Sequence, residues 1–282
     1  MNWRLKIAAK VVLSRLGIPY EGWRKLGLFR LGRMDRPDYA LKIFDLHILR
    51  AIPDGRLDGK TVLEIGPGDS LASAVTARAH GAAEALLVDA GAYASRDVDL
   101  YRAMAAALEA RGLPPPDLSD AATLEDVLAH CSARYLTTGV DAFADMPDAS
   151  VDLIWSHSVL EHIPLKQLPH LFGEMRRVLK PEGLISHNID FQDHLAHGLN
   201  SLRFSEAAWE SPTMANAGFY TNRVRAGAMH AMVREAGFEI LQEDFGRWPA
   251  PPIARRDLDP AFRDLSDDEL RIATSHLLAR PA

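Results

Sequence analysis

One cysteine, Cys131, is all the 282-residue chain contains, so it can form neither an internal disulfide nor a cysteine-built metal cage. That scarcity suits a reducing compartment, and a cytoplasmic protein is expected. Cys131 itself reads as a buried spectator rather than a nucleophile. Basic residues are also in deficit. The 32 Lys and Arg stand against 38 Asp and Glu, a formal charge of −6, and no cationic cluster occupies the middle of the chain. Neutralising phosphates needs such a cluster, so nucleic acid is not an expected partner. There is no internal repeat. With 48% hydrophobic and 25% charged residues the composition is that of a soluble globular protein, neither disordered nor embedded in a membrane.

The first segment, Met1 to Gly17, lacks a signal peptide's unbroken apolar stretch and small-residue cleavage site. It mixes Trp3, Leu5, Ile7, Val11 and Val12 with Arg4, Lys6, Lys10 and Arg15. Such a helix either rests on an anionic membrane surface or packs on its own domain with its charges in water. Packing is the favoured reading, with peripheral membrane contact the lesser one.

From Thr61 onward short apolar runs alternate with helical patterns, the mark of βαβ units and a mostly parallel sheet. Val62–Ile65, Ala85–Val88, Arg134–Thr137, Asp152–Trp155 and Leu184–His187 read as five strands, apolar enough to be covered on both faces. Leu165, Leu168, Leu171, Phe172, Met175, Val178 and Leu179 line one helix face, which Lys180-Pro181-Glu182-Gly183 ends. Gly237–Leu241 begins an expected final strand, and a helix is expected over Asp267–Leu278.

The expected fold is therefore α/β, a doubly wound, mostly parallel, Rossmann-like sheet of seven strands. Three parts are expected: an N-terminal helical extension at 1–57, a main domain at 58–247 and a C-terminal tail with helix at 248–282. Residues 190–223 interrupt the alternation after the fifth strand. An insertion there lands at the carboxyl edge of the sheet, where ligands bind, and it reads as a lid over an acceptor.

Val62-Leu63-Glu64-Ile65-Gly66-Pro67-Gly68-Asp69-Ser70 is a strand, a glycine turn and the start of a helix. Glycines let a ligand approach the backbone and permit positive φ, and Asp69 or Ser70 can cap the helix. About twenty residues on, Leu87-Val88-Asp89 ends the second strand in a carboxylate. There it can accept hydrogen bonds from both hydroxyls of an adenosine ribose, a role shared by dinucleotide and S-adenosylmethionine (SAM) sites. Leu71 stands where a dinucleotide fingerprint has its third glycine, and Asp69 would repel a pyrophosphate at the helix N-terminus. SAM carries a sulfonium and an amino group instead of phosphate, so Glu64 and Asp69 are tolerable beside it.

With these elements the chain resembles the class I SAM-dependent methyltransferases, in the branch of ubiquinone and menaquinone C-methyltransferases with the type 11 methyltransferase domain. Asp148–Ile163 resembles that branch's fourth-strand motif, and Arg177–Gly183 its helix-to-fifth-strand motif; the likeness covers about Thr61 to His187. It implies that Glu64, Gly66 and Gly68 lie along the methionine part of SAM and that Asp89 holds the ribose. Asp141 with Ala142 resembles the pair that recognises adenine, although Phe143–Met146 departs from the usual Leu-Pro-Phe. Ser156 and His157 fall at the end of the fourth strand, beside the cofactor. Glu161 and His162 are expected to hold the following helix in place.

A hydroxyl acceptor must lose a proton, so a base is sought near the fifth strand. His187, Asp190, Asp193, His194 and His197 follow it closely, and Asp193–His194 is the preferred base unit, His194 taking the proton and Asp193 orienting it. No spacing among these residues matches a metal motif, and no metal is expected. The aromatic, Arg and Asn residues of 200–205 and 218–223 suit a polar ring acceptor. The expected function is O-methylation of a small molecule, a sugar or surface-glycan precursor. The alternatives are C-methylation of a quinone-like or lipid acceptor, and a catalytically silent SAM-binding scaffold.

Overall fold

The computed structural model describes residues 3–14 and 33–282. Positions 1–2 and 15–32 of the expected N-terminal extension lie outside the described residues. The strands are β1 Thr61–Ile65, β2 Glu84–Val88, β3 Ala133–Leu136, β4 Val151–His157, β5 Leu179–Asp190, β6 Phe238–Arg247 and β7 Ile272–Pro281. They form one sheet in the order β3-β2-β1-β4-β5-β7-β6. The first five run parallel, and β7 is antiparallel to both β5 and β6. This is the expected doubly wound, mostly parallel sheet of seven strands.

The helices are α1 Trp3–Ser14, α2 Pro37–Ala51, α3 Ala72–Ala79, α4 Val98–Glu109, α5 Leu124–His130, α6 Leu168–Val178, α7 Glu206–Trp209, α8 Pro212–Ala215, α9 Ala226–Glu235 and α10 Asp267–Leu270. They cover both sheet faces, which is why the inner strands read as unbroken apolar runs. Strand residues alternate between the two sides. Val62, Leu87, Leu153 and Trp155 pack with α2 to α5, whereas Leu63, Ile65, Leu86 and Ile154 pack with α6 and α9. Phe44 of α2 stands edge-on to Trp155 with ring centres 6.2 Å apart, a pairing worth about 1 kcal/mol beyond its buried area.

The C-terminal expectation needs correction. Only one turn, Asp267–Leu270, is helical, and the rest of the anticipated helix is β7. Gly237–Leu241 accordingly begins the penultimate strand, not the last. β7 lies between β5 and β6 and gains a hydrogen-bond ladder on each edge, which outweighs a local helical pattern in a run containing Ile272, Thr274 and Ser275. The segment 248–282 therefore includes an inner strand of the sheet, next to the edge strand β6.

Residues 190–223 carry a 3₁₀ turn, Asn200–Arg203, and the short helices α7 and α8. They have a small core of their own built on Leu195, Trp209, Phe219 and Tyr220. Trp209 is fully buried, and its indole N–H donates to Thr221 O at 2.8 Å. Helix α1 lies on this core through Trp3, Ile7 and Val11 while Leu5 and Val12 face outward, and Lys10 Nζ donates to Gly218 O at 2.9 Å. Among the described residues no helix is long and apolar enough to cross a membrane.

Candidate active site

The glycine turn and the acidic end of β2 meet at the carboxyl edge of the sheet. Gly68 N–H donates to Asp89 Oδ2 at 2.9 Å, and Ala90 N–H donates to Oδ1 at 2.8 Å. Gly66 and Gly68 both have positive φ, +73° and +67°. A Cβ on Gly66 would come within 2.4 Å of Val159 Cγ2, so the loop after β4 lies directly on the turn. Ser70 Oγ accepts from Ala72 N at 3.2 Å, but the N-cap of α3 is Leu71, which has no side-chain cap, so Ser70 shapes the turn one residue before the helix.

Burial raises the pKa of half-buried Asp89; the two amides oppose that rise, and the charge of buried Asp69 adds to it. Glu64 lies beneath the turn, where it accepts a hydrogen bond from the Ser73 hydroxyl. Burial pushes its pKa up to about 8, so at neutral pH it is mostly the uncharged acid. The 3₁₀ turn Gly139–Asp145 presents exposed Asp141 and buried Ala142, and it is tied to β2 by Gly139 N–H donating to Asp89 O at 2.8 Å. The proposed adenine pair thus adjoins the proposed ribose carboxylate.

Other predicted site residues are placed differently. Ser156 is buried, its hydroxyl 2.7 Å from His187 Nδ1, so that side chain is engaged inside the sheet. Asp193 does not orient His194. It accepts from Leu195 N at 2.9 Å, from Ala196 N at 2.8 Å and from both the amide and the side chain of Asn200. An aspartate bonded to amides two and three residues onward shapes its own loop, and these backbone donors take the carboxylate before the neighbouring imidazole can. Of the five polar residues at the end of β5 and just beyond it, Asp190, Asp193, His194 and His197 lie near one another and His187 stands apart. His187 is buried within the strand, and His197 sits on an exposed turn at φ 53°.

His194 stacks instead on His162, with ring centres 4.8 Å apart and Nε2 atoms 3.1 Å apart. His162 Nδ1 lies 3.0 Å from Tyr220 O. A carbonyl only accepts, so Nδ1 carries the hydrogen; the neutral ring then accepts at Nε2 from His194, which leaves a lone pair on His194 Nδ1. Burial first, then His162 and Lys10, press His194 down to about 4. His157, half-buried at the end of β4, is likewise held at about 4 by burial and shares a 3.2 Å hydrogen bond with His47.

The turn after β4 is latched by Asn222. Its amide Nδ2 donates to Leu160 O at 2.7 Å and Ile163 O at 2.9 Å, its backbone N–H donates to Glu161 O at 2.7 Å, and its Oδ1 accepts from Val224 N at 3.1 Å. This latch sets Val159 against Gly66 and His162 against His194. Asn222→Ala removes the three side-chain bonds, and a loss of about 2–3 kcal/mol is expected at about 1 kcal/mol each, measured as a lower urea midpoint. Beside the latch, both carboxyl oxygens of buried Glu161 lack a hydrogen-bond partner. Burial and then Asp190 raise its pKa well above the carboxylate range, which keeps it uncharged.

Sequence reasoning passed over His47, Ser186 and His276. One signal was present: His47 falls within the buried stripe of α2, among Leu41, Ile43, Phe44 and Ile48. A histidine in an apolar stripe must find polar partners inside the protein.

A family model described as a methyltransferase domain matches residues 38–243. No curated protein sequence matches the chain significantly. Among solved structures, an S-adenosylmethionine-dependent methyltransferase from Mesorhizobium loti is 17% identical, with 80% of this chain and 92% of that one covered at a TM-score of 0.45. One from Methanosarcina mazei is 14% identical, covering 79% and 93% at a TM-score of 0.46. A phosphoethanolamine N-methyltransferase from Haemonchus contortus, in complex with phosphomonomethylethanolamine and S-adenosylhomocysteine, is 13% identical, covering 85% of this chain and 52% of that one at 0.47.

Proposed function

The chain belongs to the methyltransferase domain family, and we propose that it transfers a methyl group from SAM to a hydroxyl of a small polar acceptor, a sugar or glycan precursor. The observation that carries this reading is the contact between the Gly68 amide and the Asp89 carboxylate, which puts a close-approach turn and a ribose-type acceptor at one place. The local chemistry fits the cofactor. Gly66 and Gly68 form a cradle without side chains. Asp69 and Asp89 give it negative character, a setting suited to a cationic sulfonium and ammonium rather than to phosphate.

Bound SAM supplies an electrophilic methyl group that leaves a sulfonium by in-line displacement. The protein's part is alignment and exclusion of water. Asp89 would accept the ribose hydroxyls, Asp141 and the Ala142 amide would meet the adenine, and the 190–223 insertion would cover the acceptor. A hydroxyl acceptor is supported by His157 and His194, imidazoles near that edge that each keep one ring nitrogen able to receive a proton.

The test has two arms. Calorimetry with SAM and with its demethylated product should show binding of both. Methyl-labelled SAM, incubated with a panel of sugars and sugar nucleotides and with fractionated cell extract, should deliver label to a sugar fraction. Label in lipid or quinone would move the assignment to C-methylation, and tight binding without any labelled product would leave a scaffold.

A further inference from the structure

Behind the site, between α2 and strands β4, β5 and β7, four side chains form an unbroken hydrogen-bonded chain. His157 Nδ1 lies 3.2 Å from His47 Nε2, His47 Nδ1 lies 2.9 Å from Ser186 Oγ, and Ser186 Oγ lies 3.0 Å from His276 Nε2. One end is His157, which closes β4 two residues before Val159 and so adjoins the glycine turn. The other end is His276, in register with Asp244 of β6; Arg50 pairs with that aspartate and reaches the His276 carbonyl at 3.5 Å.

Every member can both give and accept a hydrogen bond, a neutral imidazole having one N–H and one lone pair and a serine hydroxyl having both. The chain therefore has two self-consistent arrangements. In the first, His157 Nδ1–H donates to His47, His47 Nδ1–H donates to Ser186, and the serine hydroxyl donates to His276 Nε2. His157 Nε2 is then a lone pair and His276 Nδ1 bears a hydrogen. In the second, every donor and acceptor is exchanged. The two differ by one proton moved from end to end.

The neighbouring His194–His162 pair lacks this property, because it ends on the Tyr220 carbonyl, which cannot hand a proton onward. A proton gained there would stay as a cation near Lys10. We propose that His157, His47, Ser186 and His276 are a proton relay, with His157 Nε2 as the group that takes the acceptor's proton and His276 Nδ1 as the exit beside Arg50 and Asp244. This inference rests on methyl transfer to a hydroxyl. The balance is one proton in and one out. The acceptor oxygen gives its proton to His157 Nε2, His157 Nδ1–H passes to His47 Nε2, His47 Nδ1–H passes to Ser186 Oγ, the original serine proton passes to His276 Nε2, and His276 Nδ1–H leaves to water or to Asp244. Concerted movement avoids a standing imidazolium among buried rings. The groups facing the chain, Arg50 and the imidazole of His187, also disfavour such a cation, and Asp244 alone favours one at the exit.

Ser186→Ala cuts the chain by deleting one oxygen, and His47→Phe cuts it with a ring that suits the apolar stripe of α2. Protein labelled with ¹⁵N at histidine reports each ring's tautomer without any acceptor present. The relay requires that Ser186→Ala, which does not touch His157, change the tautomer balance of His157. With whichever acceptor of the sugar panel takes label, both variants should transfer methyl about 100-fold more slowly, recover part of that rate in imidazole buffer, and bind SAM within twofold of the parent. Unchanged ¹⁵N shifts at His157 in Ser186→Ala, or parent-like transfer in both variants, overturns the relay. A parent protein that binds no SAM would instead overturn the methyltransferase reading, and the nitrogen shifts would still judge the chain.

Discussion

Between pH 7 and pH 5 the protein is expected to lose about 4 kcal/mol of folding stability, seen as a falling urea midpoint at nearly constant slope. The cause is a set of histidines held neutral by burial. His187 is pressed to about 3, and His157, His194 and His276 to about 4, while His47, His162 and His230 are also lowered. A free histidine titrates near 6.5. Below that pH the unfolded chain binds protons that the folded chain refuses, so each such histidine removes up to about 1.4 kcal/mol per pH unit until its folded pKa is reached. Glu64 and Glu161 act in the opposite sense. Their raised folded pKa values mean that stability is gained as pH falls toward the ordinary carboxylate range, for Glu64 from about 8. Half-buried Asp89 and Asp190 are raised as well, but seven lowered histidines outnumber these four carboxyls, and the net sign is a loss toward acid. His187→Leu should flatten the slope between pH 6.5 and pH 5 by about one histidine's share, about 1 kcal/mol per unit. A midpoint that holds steady or rises toward pH 5 would show that the carboxylates govern.

The division between what the residues announced and what they concealed follows from locality. The sheet, the glycine turn and Asp89 depend on short-range patterns, an apolar strand, an obligatory glycine and a strand-end carboxylate, and each is visible within a few residues. β7 is not of that kind. Its strand character comes from two neighbours, β5 and β6, separated from it by tens of residues. Asp193 and His194 read as one unit because they are adjacent in sequence, yet consecutive side chains seldom face each other, and the nearby amides of Leu195 and Ala196 take the carboxylate. The chain through His47, Ser186 and His276 joins three elements spread over more than two hundred positions, and only packing α2 against the sheet brings it together.

Asp89→Ala is expected to weaken SAM binding by about 100-fold with little change in folding stability. Two hydroxyls bonded to a carboxylate contribute about 1.5–3 kcal/mol each, and loss of both accounts for at least that factor. The effect on folding differs because the carboxylate's desolvation, visible in its raised pKa, offsets the two amide bonds that it accepts. Asp89→Asn separates the contributions. Its amide oxygen can still accept from Gly68 N–H, but an NH2 group replaces the other acceptor oxygen and the charge is gone, so a loss of about tenfold is expected. Calorimetry with SAM and with the demethylated product should give the same ranking, since both carry the ribose. If each variant binds within twofold of the parent, Asp89 only braces the glycine turn, and the ribose must be held elsewhere on the edge of the sheet.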